Sequence, residues 1–203
     1  MTKKIALAAF LLSCLLCAAA MTSGAAQFDN PSRDGIEQPA KVMEAVGVRP
    51  GMAVGEVGAG RGYFTFWLAK GVGNSGRVYA NDIDRASLAA LERRRDAEKI
   101  GNIETVLGTV DDPGLPSGAL DMVFIVNAFH DLEKPVELLA NLLAALKPGG
   151  TVVIMDRDPA RSGERHFLPR EKVEELVGRS VFELVRTETW LRYHNLYILK
   201  ARG

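Results

Sequence analysis

The sequence predicts an α/β fold built on a doubly wound, mainly parallel sheet of seven strands. Three observations carry that reading. Short β-prone apolar runs alternate with helix-compatible segments through most of the chain, which is the pattern of strand-helix-strand units with short links. The run Leu120-Asp121-Met122-Val123-Phe124-Ile125-Val126 is almost continuously apolar, as a parallel strand covered on both faces must be. The run Ala53-Val54-Gly55-Glu56-Val57 then breaks into Gly58-Ala59-Gly60-Arg61-Gly62 before a helix-compatible stretch. A strand that turns this sharply needs residues free of Cβ crowding, and a side chain at any of the three alternating glycines is expected to occupy ligand space.

Each element follows from local signals. Lys41 to Val48 places Val42, Met43, Ala45 and Val46 on one face of a short helix. Strands are expected near Ala53 to Val57 and Val78 to Asn81, with a helix near Phe64 to Lys70 between them. Asp84 is placed to cap a helix over Arg85 to Lys99. Ile103 to Leu107 reads as the third strand, Thr109 to Pro116 as its loop, and Leu120 to Ile125 as the fourth strand. Lys147-Pro148-Gly149-Gly150 stops the helix Pro135 to Leu146 and opens Thr151 to Asp156 as the fifth strand. A helix over Arg170 to Gly178 and two strands, Phe182 to Thr187 and Leu196 to Lys200, complete the order. Open α/β sheets bind ligands at the carboxyl ends of their strands, so Glu56, Asp82, Asp111, Asn127 and Asp156 are expected to converge on one cleft.

The spacing of the glycines separates two cofactor classes. A dinucleotide turn is G-x-G-x-x-G, whereas this chain has G-x-G-x-G, with Tyr63 where the dinucleotide glycine would stand. With Glu56 in front, the segment reads E-x-G-x-G-x-G and resembles the first motif of class I S-adenosylmethionine (SAM) methyltransferases. Asp82 lies 24 residues beyond Gly58, at the tip of the second strand, where a carboxylate accepts hydrogen bonds from ribose hydroxyls.

The resemblance covers about residues 40 to 200 and includes the K-P-G-G before an apolar run. It implies a Rossmann-like methyltransferase fold whose last two strands form an antiparallel hairpin. SAM is the implied cofactor, held by Glu56, Gly58, Ala59, Gly60, Gly62, Asp82, Ile83, Val110, Asp111 and Asn127. Asp111 is the candidate for the adenine amino group, although Thr109 stands where the family often has an acid directly after the glycine. The polar stretch Phe28 to Pro39 resembles the family's N-terminal flap, with Arg33, Asp34 and Gln38 its notable members.

Transfer from a sulfonium is an in-line displacement, so a protein must hold the acceptor in line and, where needed, remove its proton. His130, after the fourth strand, and His166, in the polar loop after the fifth, are the candidate catalytic bases; His194 is expected to be structural. Asn127-Ala128-Phe129-His130 lacks the Asn/Asp-Pro-Pro-aromatic pattern of exocyclic-amine methylation, and nothing in the sequence marks a metal site. Formal charge is +0 and Arg93-Arg94-Arg95 sits among acids, so no nucleic-acid surface is expected. The expected acceptor is a small molecule or lipid-like compound. Two alternatives stay open: an exported, non-catalytic nucleoside- or SAM-binding protein of the same fold, and a nicotinamide-dependent oxidoreductase.

Domain boundaries follow: a leader over 1–26, a flap or linker over 27–40 and the methyltransferase domain over 41–203. Met1-Thr2-Lys3-Lys4, the apolar run Ile5 to Ala20 and the small residues to Ala26 read as a secretory signal peptide. Leu11-Leu12-Ser13-Cys14 also offers a lipoprotein site, and an uncleaved membrane anchor is the third outcome. Both cysteines, Cys14 and Cys17, lie in this leader, so cleavage beyond them leaves a thiol-free chain with 23 basic and 25 acidic residues. Export to a periplasm or its membrane sits awkwardly with a cofactor made in the cytosol. Mass spectrometry of the mature N-terminus should find a start near Met21 to Gln27 or a lipidated Cys14 in the exported fraction; intact Met1 in the cytosolic fraction removes the export reading.

Overall fold

The structure, a computed structural model, describes residues 30–203. The leader and the start of the flap lie outside the described residues. The chain divides at Ser32/Arg33, and the sheet lies wholly in the second unit, Arg33–Gly203. Its elements in order are α1 (Pro31–Glu37), α2 (Pro39–Val46), β1 (Ala53–Val57), α3 (Tyr63–Val72), β2 (Arg77–Asp82), α4 (Arg85–Ala97), β3 (Ile103–Leu107) and β4 (Leu120–Val126). A 3-10 turn (Phe129–Asp131), α5 (Pro135–Ala145), β5 (Leu146–Arg157), α6 (Pro159–Ser162), α7 (Arg170–Gly178), β6 (Phe182–Glu188) and β7 (His194–Ala201) follow. The strands form one seven-stranded sheet in the order β3-β2-β1-β4-β5-β7-β6, with β7 antiparallel to both β5 and β6. The expected sheet and its closing hairpin are therefore present.

Alternation along the central strands explains the layers. Met122, Phe124 and Val126 of β4, with Val153 and Met155 of β5, face the cluster built by α2, α3 and α4. Val123 and Ile125, with Val152 and Ile154, face the cluster built by α5 and α7. A strand buried on both faces has no solvent side, and polar groups are pushed to its ends.

Differences from the expected bounds are mostly one or two residues, and two have clear causes. The strand β5 begins at Leu146 rather than Thr151, because Leu146 already pairs with Leu120 before the register shifts between Leu120 and Met122. The flap is helical at α1, and that helix is tied to the glycine turn: Tyr63 donates to Asp34 at 2.6 Å while the Arg33 guanidinium stacks 3.7 Å from the Tyr63 ring centre. Gln38 takes a left-handed backbone, φ 47°, where α1 turns into α2. Among the described residues no helix is long and apolar enough to cross a membrane.

A buried polar chain fixes the carboxyl end of β4. Glu37 Oε1 accepts from Arg33 Nε at 2.6 Å and from Asn127 Nδ2 at 2.9 Å. That bond orients the amide so that Asn127 Oδ1 accepts from His194 Nε2 at 3.0 Å. Burial, with the fields of Arg157, Arg33 and Arg161, pushes the His194 imidazole down to about 3, so it stays neutral with its proton on Nε2. His194 is structural, as expected. Asn127 holds a left-handed backbone, φ 50°. Asn127→Gly keeps that conformation and removes both bonds, which should cost about 1–3 kcal/mol in urea denaturation. Asn127→Ala should cost about a further 1–2 kcal/mol, because a Cβ is disfavoured in the left-handed region. Equal stabilities for the parent and both variants would contradict this network.

Candidate functional site

The sheet order reverses between β1 and β4, and a cleft of about 290 Å³ opens there beyond the strand ends. That volume is near the lower end of the usual range for small-molecule sites, about 300–1,000 Å³. Gly58, Asp82, Ile83, Val110 and Asn127 line it, joined by Asp131, Leu132, Glu133 and Leu138 from the segment after β4.

The glycine turn divides its tasks. Gly58, at φ +73°, passes Ala128 so closely that a Cβ would lie 2.5 Å from the alanine Cβ. A Cβ on Gly60, at φ +55°, would meet no protein atom within 4 Å. Gly62 departs from the expectation that all three glycines clear ligand space: a Cβ there would strike Leu91 and Phe66, each at 2.8 Å, so its role is to let α3 pack on the core. Ala59 is buried, and its backbone N–H donates to the Asn81 carbonyl.

Asp82 sits opposite this turn. Its Oδ2 accepts from Gly60 N at 2.7 Å and its Oδ1 from Asp84 N at 2.8 Å, so the carboxylate is aimed before any ligand arrives. A carboxylate has about four lone-pair sites, and two remain for ribose hydroxyls. Asp84 caps α4, accepting from Ala86 N and Ser87 N, as its position predicts.

Three of the five acids and amides expected in the cleft do not line it. Glu56 is buried beneath the turn, where Thr65 Oγ1 donates to its Oε2 at 2.6 Å. Burial pushes its carboxyl up to about 8. Asp111 turns to the surface and pairs with Lys134 at 2.8 Å, because a flexible ammonium in water is within reach of its loop. Its backbone carbonyl accepts from Asn141, so this residue clasps the loop to α5. Asp156 is buried behind the cleft and accepts from His130 N and Arg157 N, each at 3.0 Å.

The two candidate bases are brought together, their rings 4.6 Å apart and edge to face, but neither is among the cleft-lining residues. His130 has a 3% exposed side chain whose Nδ1 lies 2.9 Å from both Asp156 oxygens. That carboxylate and Asp131 hold its pKa above the ordinary value although burial opposes them. His166 is 63% exposed, with Nε2 3.4 Å from Asp131.

Sequence reasoning missed Asn81 and Asp131. Asn81 is buried and donates to the Pro113 carbonyl at 2.7 Å, pinning the β3 loop over the cleft floor. A Cβ on Gly108 would lie 2.4 Å from that amide nitrogen. A polar residue inside the β-prone run Val78 to Asn81 was the available signal.

Glu56 gives a test of stability against pH. The folded state keeps a proton that the unfolded chain releases, so this group's contribution is complete below about 4.5 and is lost as pH rises through about 8. Glu56→Gln keeps an acceptor for Thr65 without the ionisation. Its stability relative to the parent should rise between pH 5 and 8 by up to about 1.4 kcal/mol per unit; parallel stability curves would contradict the buried neutral carboxyl.

Comparison with known proteins agrees with this geometry. Residues 55–154 match the family model of a methyltransferase domain. A ubiquinone/menaquinone biosynthesis C-methyltransferase of Shewanella pealeana is 29% identical over 115 residues, covering 56% of this chain and 46% of that protein. The chain thus spans just under half the length of this curated relative. A SAM-dependent methyltransferase from Aquifex aeolicus superposes with TM-score 0.79 at 25% identity, covering 85% of this chain and 95% of that one. The trans-methyltransferase CalH, crystallised with S-adenosylhomocysteine, shares the fold at TM-score 0.62 and 22% identity, covering 76% and 52%. Residues 55–154 thus resemble a methyltransferase domain, the sheet is that of the SAM-dependent methyltransferase fold, and SAM is the cofactor of that class.

Proposed function

We propose that the protein transfers the methyl group of SAM to a small-molecule or lipid-like acceptor. The observation that carries this reading is the Gly58–Gly62 turn facing a pre-aimed Asp82 across a cleft at the reversal of strand order. In this reading Asp82 takes the ribose hydroxyls, Gly60 leaves room for the cofactor, and Ile83 and Val110 contribute apolar walls. SAM supplies the electrophilic methyl group. The chain's own part is positioning: a well-ordered turn, a fixed carboxylate and a fixed end of β4 reduce the entropy lost in reaching an in-line geometry.

The acceptor enters from the side of Asp131, Leu132, Glu133 and Leu138, a mixed apolar and acidic wall that suits a compound with an apolar body and a polar end. The relative from Shewanella pealeana is named for C-methylation in ubiquinone/menaquinone biosynthesis, and an aromatic carbon acceptor of that general kind is the first to try. An exported location is proposed from the leader, and it requires a supply of SAM outside the cytosol.

Calorimetric titration of the protein with SAM, S-adenosylhomocysteine and NAD tests the reading. Both adenosyl compounds should bind and NAD should not. Asp82→Ala should weaken SAM by about 1–3 kcal/mol, the value of a charge-assisted hydrogen-bond pair. Gly60→Val should abolish binding, since it fills the open space at a left-handed backbone. Unchanged SAM affinity in Asp82→Ala overturns the ribose assignment, and SAM binding without turnover on any acceptor favours the non-catalytic alternative.

A further inference from the structure

We propose that His130, Asp131 and His166 form a binding site for one divalent first-row transition-metal ion at the mouth of the cleft. Nothing in the sequence marks these residues as metal ligands, and the site stands apart from the methyltransferase reading. His130 and Asp131 come from the 3-10 turn after β4, and His166 from the loop between α6 and α7. One ligand atom from each lies within 4.8 Å of the other two.

The two imidazoles stand against different oxygens of the Asp131 carboxylate, a spacing that a shared ion can bridge with a small rotation of the exposed Asp131 and His166 side chains. His130 Nε2 is 3.3 Å from Asp131 Oδ2, and His166 Nε2 is 3.4 Å from Asp131 Oδ1. Both separations exceed a good N–H···O contact of about 2.7–3.2 Å. Ligand bonds of about 2.0–2.2 Å at tetrahedral angles put neighbouring donor atoms about 3.3–3.5 Å apart. The His166 ring stands edge-on to His130, and both rings meet Phe167, at 5.3 Å and 4.3 Å between centres.

The second, independent observation is the buried carboxylate behind His130. Asp156 lies 2.9 Å from Nδ1, and two backbone N–H groups hold it in place. With Nδ1–H donated to Asp156, Nε2 carries the lone pair and stands 3.3 Å from Asp131 Oδ2. Metal-bound histidines are oriented by such a partner, which also strengthens them as ligands. Two neutral imidazoles with two carboxylates nearby balance a double positive charge. Two imidazoles and one carboxylate suit Zn2+, Co2+, Ni2+ or Fe2+, whereas Mg2+ and Ca2+ prefer oxygen cages. Asp131 also lines the cleft, so open positions on the ion would be reached from it by water or an oxygen donor of a bound molecule.

The competing account is an ion-pair cluster in which a protonated His130 bridges Asp131 and Asp156. Titrating the chelator-treated full chain with Co2+, followed by its visible absorption bands, and with Zn2+, followed by calorimetry, separates the two. One equivalent should bind. His166→Ala, a change on an exposed loop, should weaken Zn2+ at least tenfold while circular dichroism and SAM affinity stay at parental values. Asp156→Asn should weaken Zn2+ by about 10–100-fold without removing a ligand. Absence of stoichiometric binding in the parent overturns the proposal, as does parental Zn2+ affinity in His166→Ala. Failure of SAM binding with retained Zn2+ binding would overturn the function proposed above and leave the metal site standing.

Discussion

Burial of β4 and β5 on both faces is the constraint from which the site follows. With Met122, Phe124 and Val126 packed to one side and Val123 and Ile125 to the other, no side chain in the middle of β4 is free for chemistry. Polar groups become available only where the strands end, and the strands that matter end on the same edge because they are parallel. The reversal between β1 and β4 then opens that edge into a cleft. Asp82, Asn127 and Asp131 meet there because each stands at or just past the end of a buried strand.

The parts of this arrangement legible in the sequence are those that depend on neighbours along the chain. A glycine turn after an apolar run, an acid one unit later and an Asp capping the next helix are local patterns, and the structure places all three where local chemistry puts them. Strand ends were displaced where pairing across the sheet added residues that local propensity does not favour. Leu146 to Gly150 joins β5 through its partner Leu120 although Pro148 and two glycines are poor strand formers. The fate of an acid was least legible. Nothing local distinguishes Asp82, which stays at the cleft, from Asp111, which pairs with Lys134, or Glu56, which goes under the turn.

The polar clusters were illegible for a different reason. Glu37, Asn127 and His194 are joined by hydrogen bonds spanning 90 and 67 residues of sequence, and His166 reaches Asp131 from a separate loop. Such sets are written by topology: β6 returns the chain to the carboxyl edge, antiparallel β7 starts there with His194 beside Arg157 of β5, and the loop after β5 folds back over the turn after β4. His130 was singled out for its position after a strand, but its partner Asp156 lies on the neighbouring strand, where register alone decides what it faces.

The electrostatics of the cleft bear on which ligands it can hold. Asp82, Asp131 and Glu133 line it, while Glu56 beneath the turn is kept largely uncharged at neutral pH by burial. Acidic walls raise the local concentration of cations and repel anions. A sulfonium cofactor fits that field, whereas a dinucleotide would bring two phosphates to a turn flanked by carboxylates. The same field favours a dication at Asp131, and an occupied site would in turn lower the negative potential at the mouth. Acceptors with anionic oxygen would then find a partner at the outer end of the cleft without losing the acidic inner end that suits the cofactor.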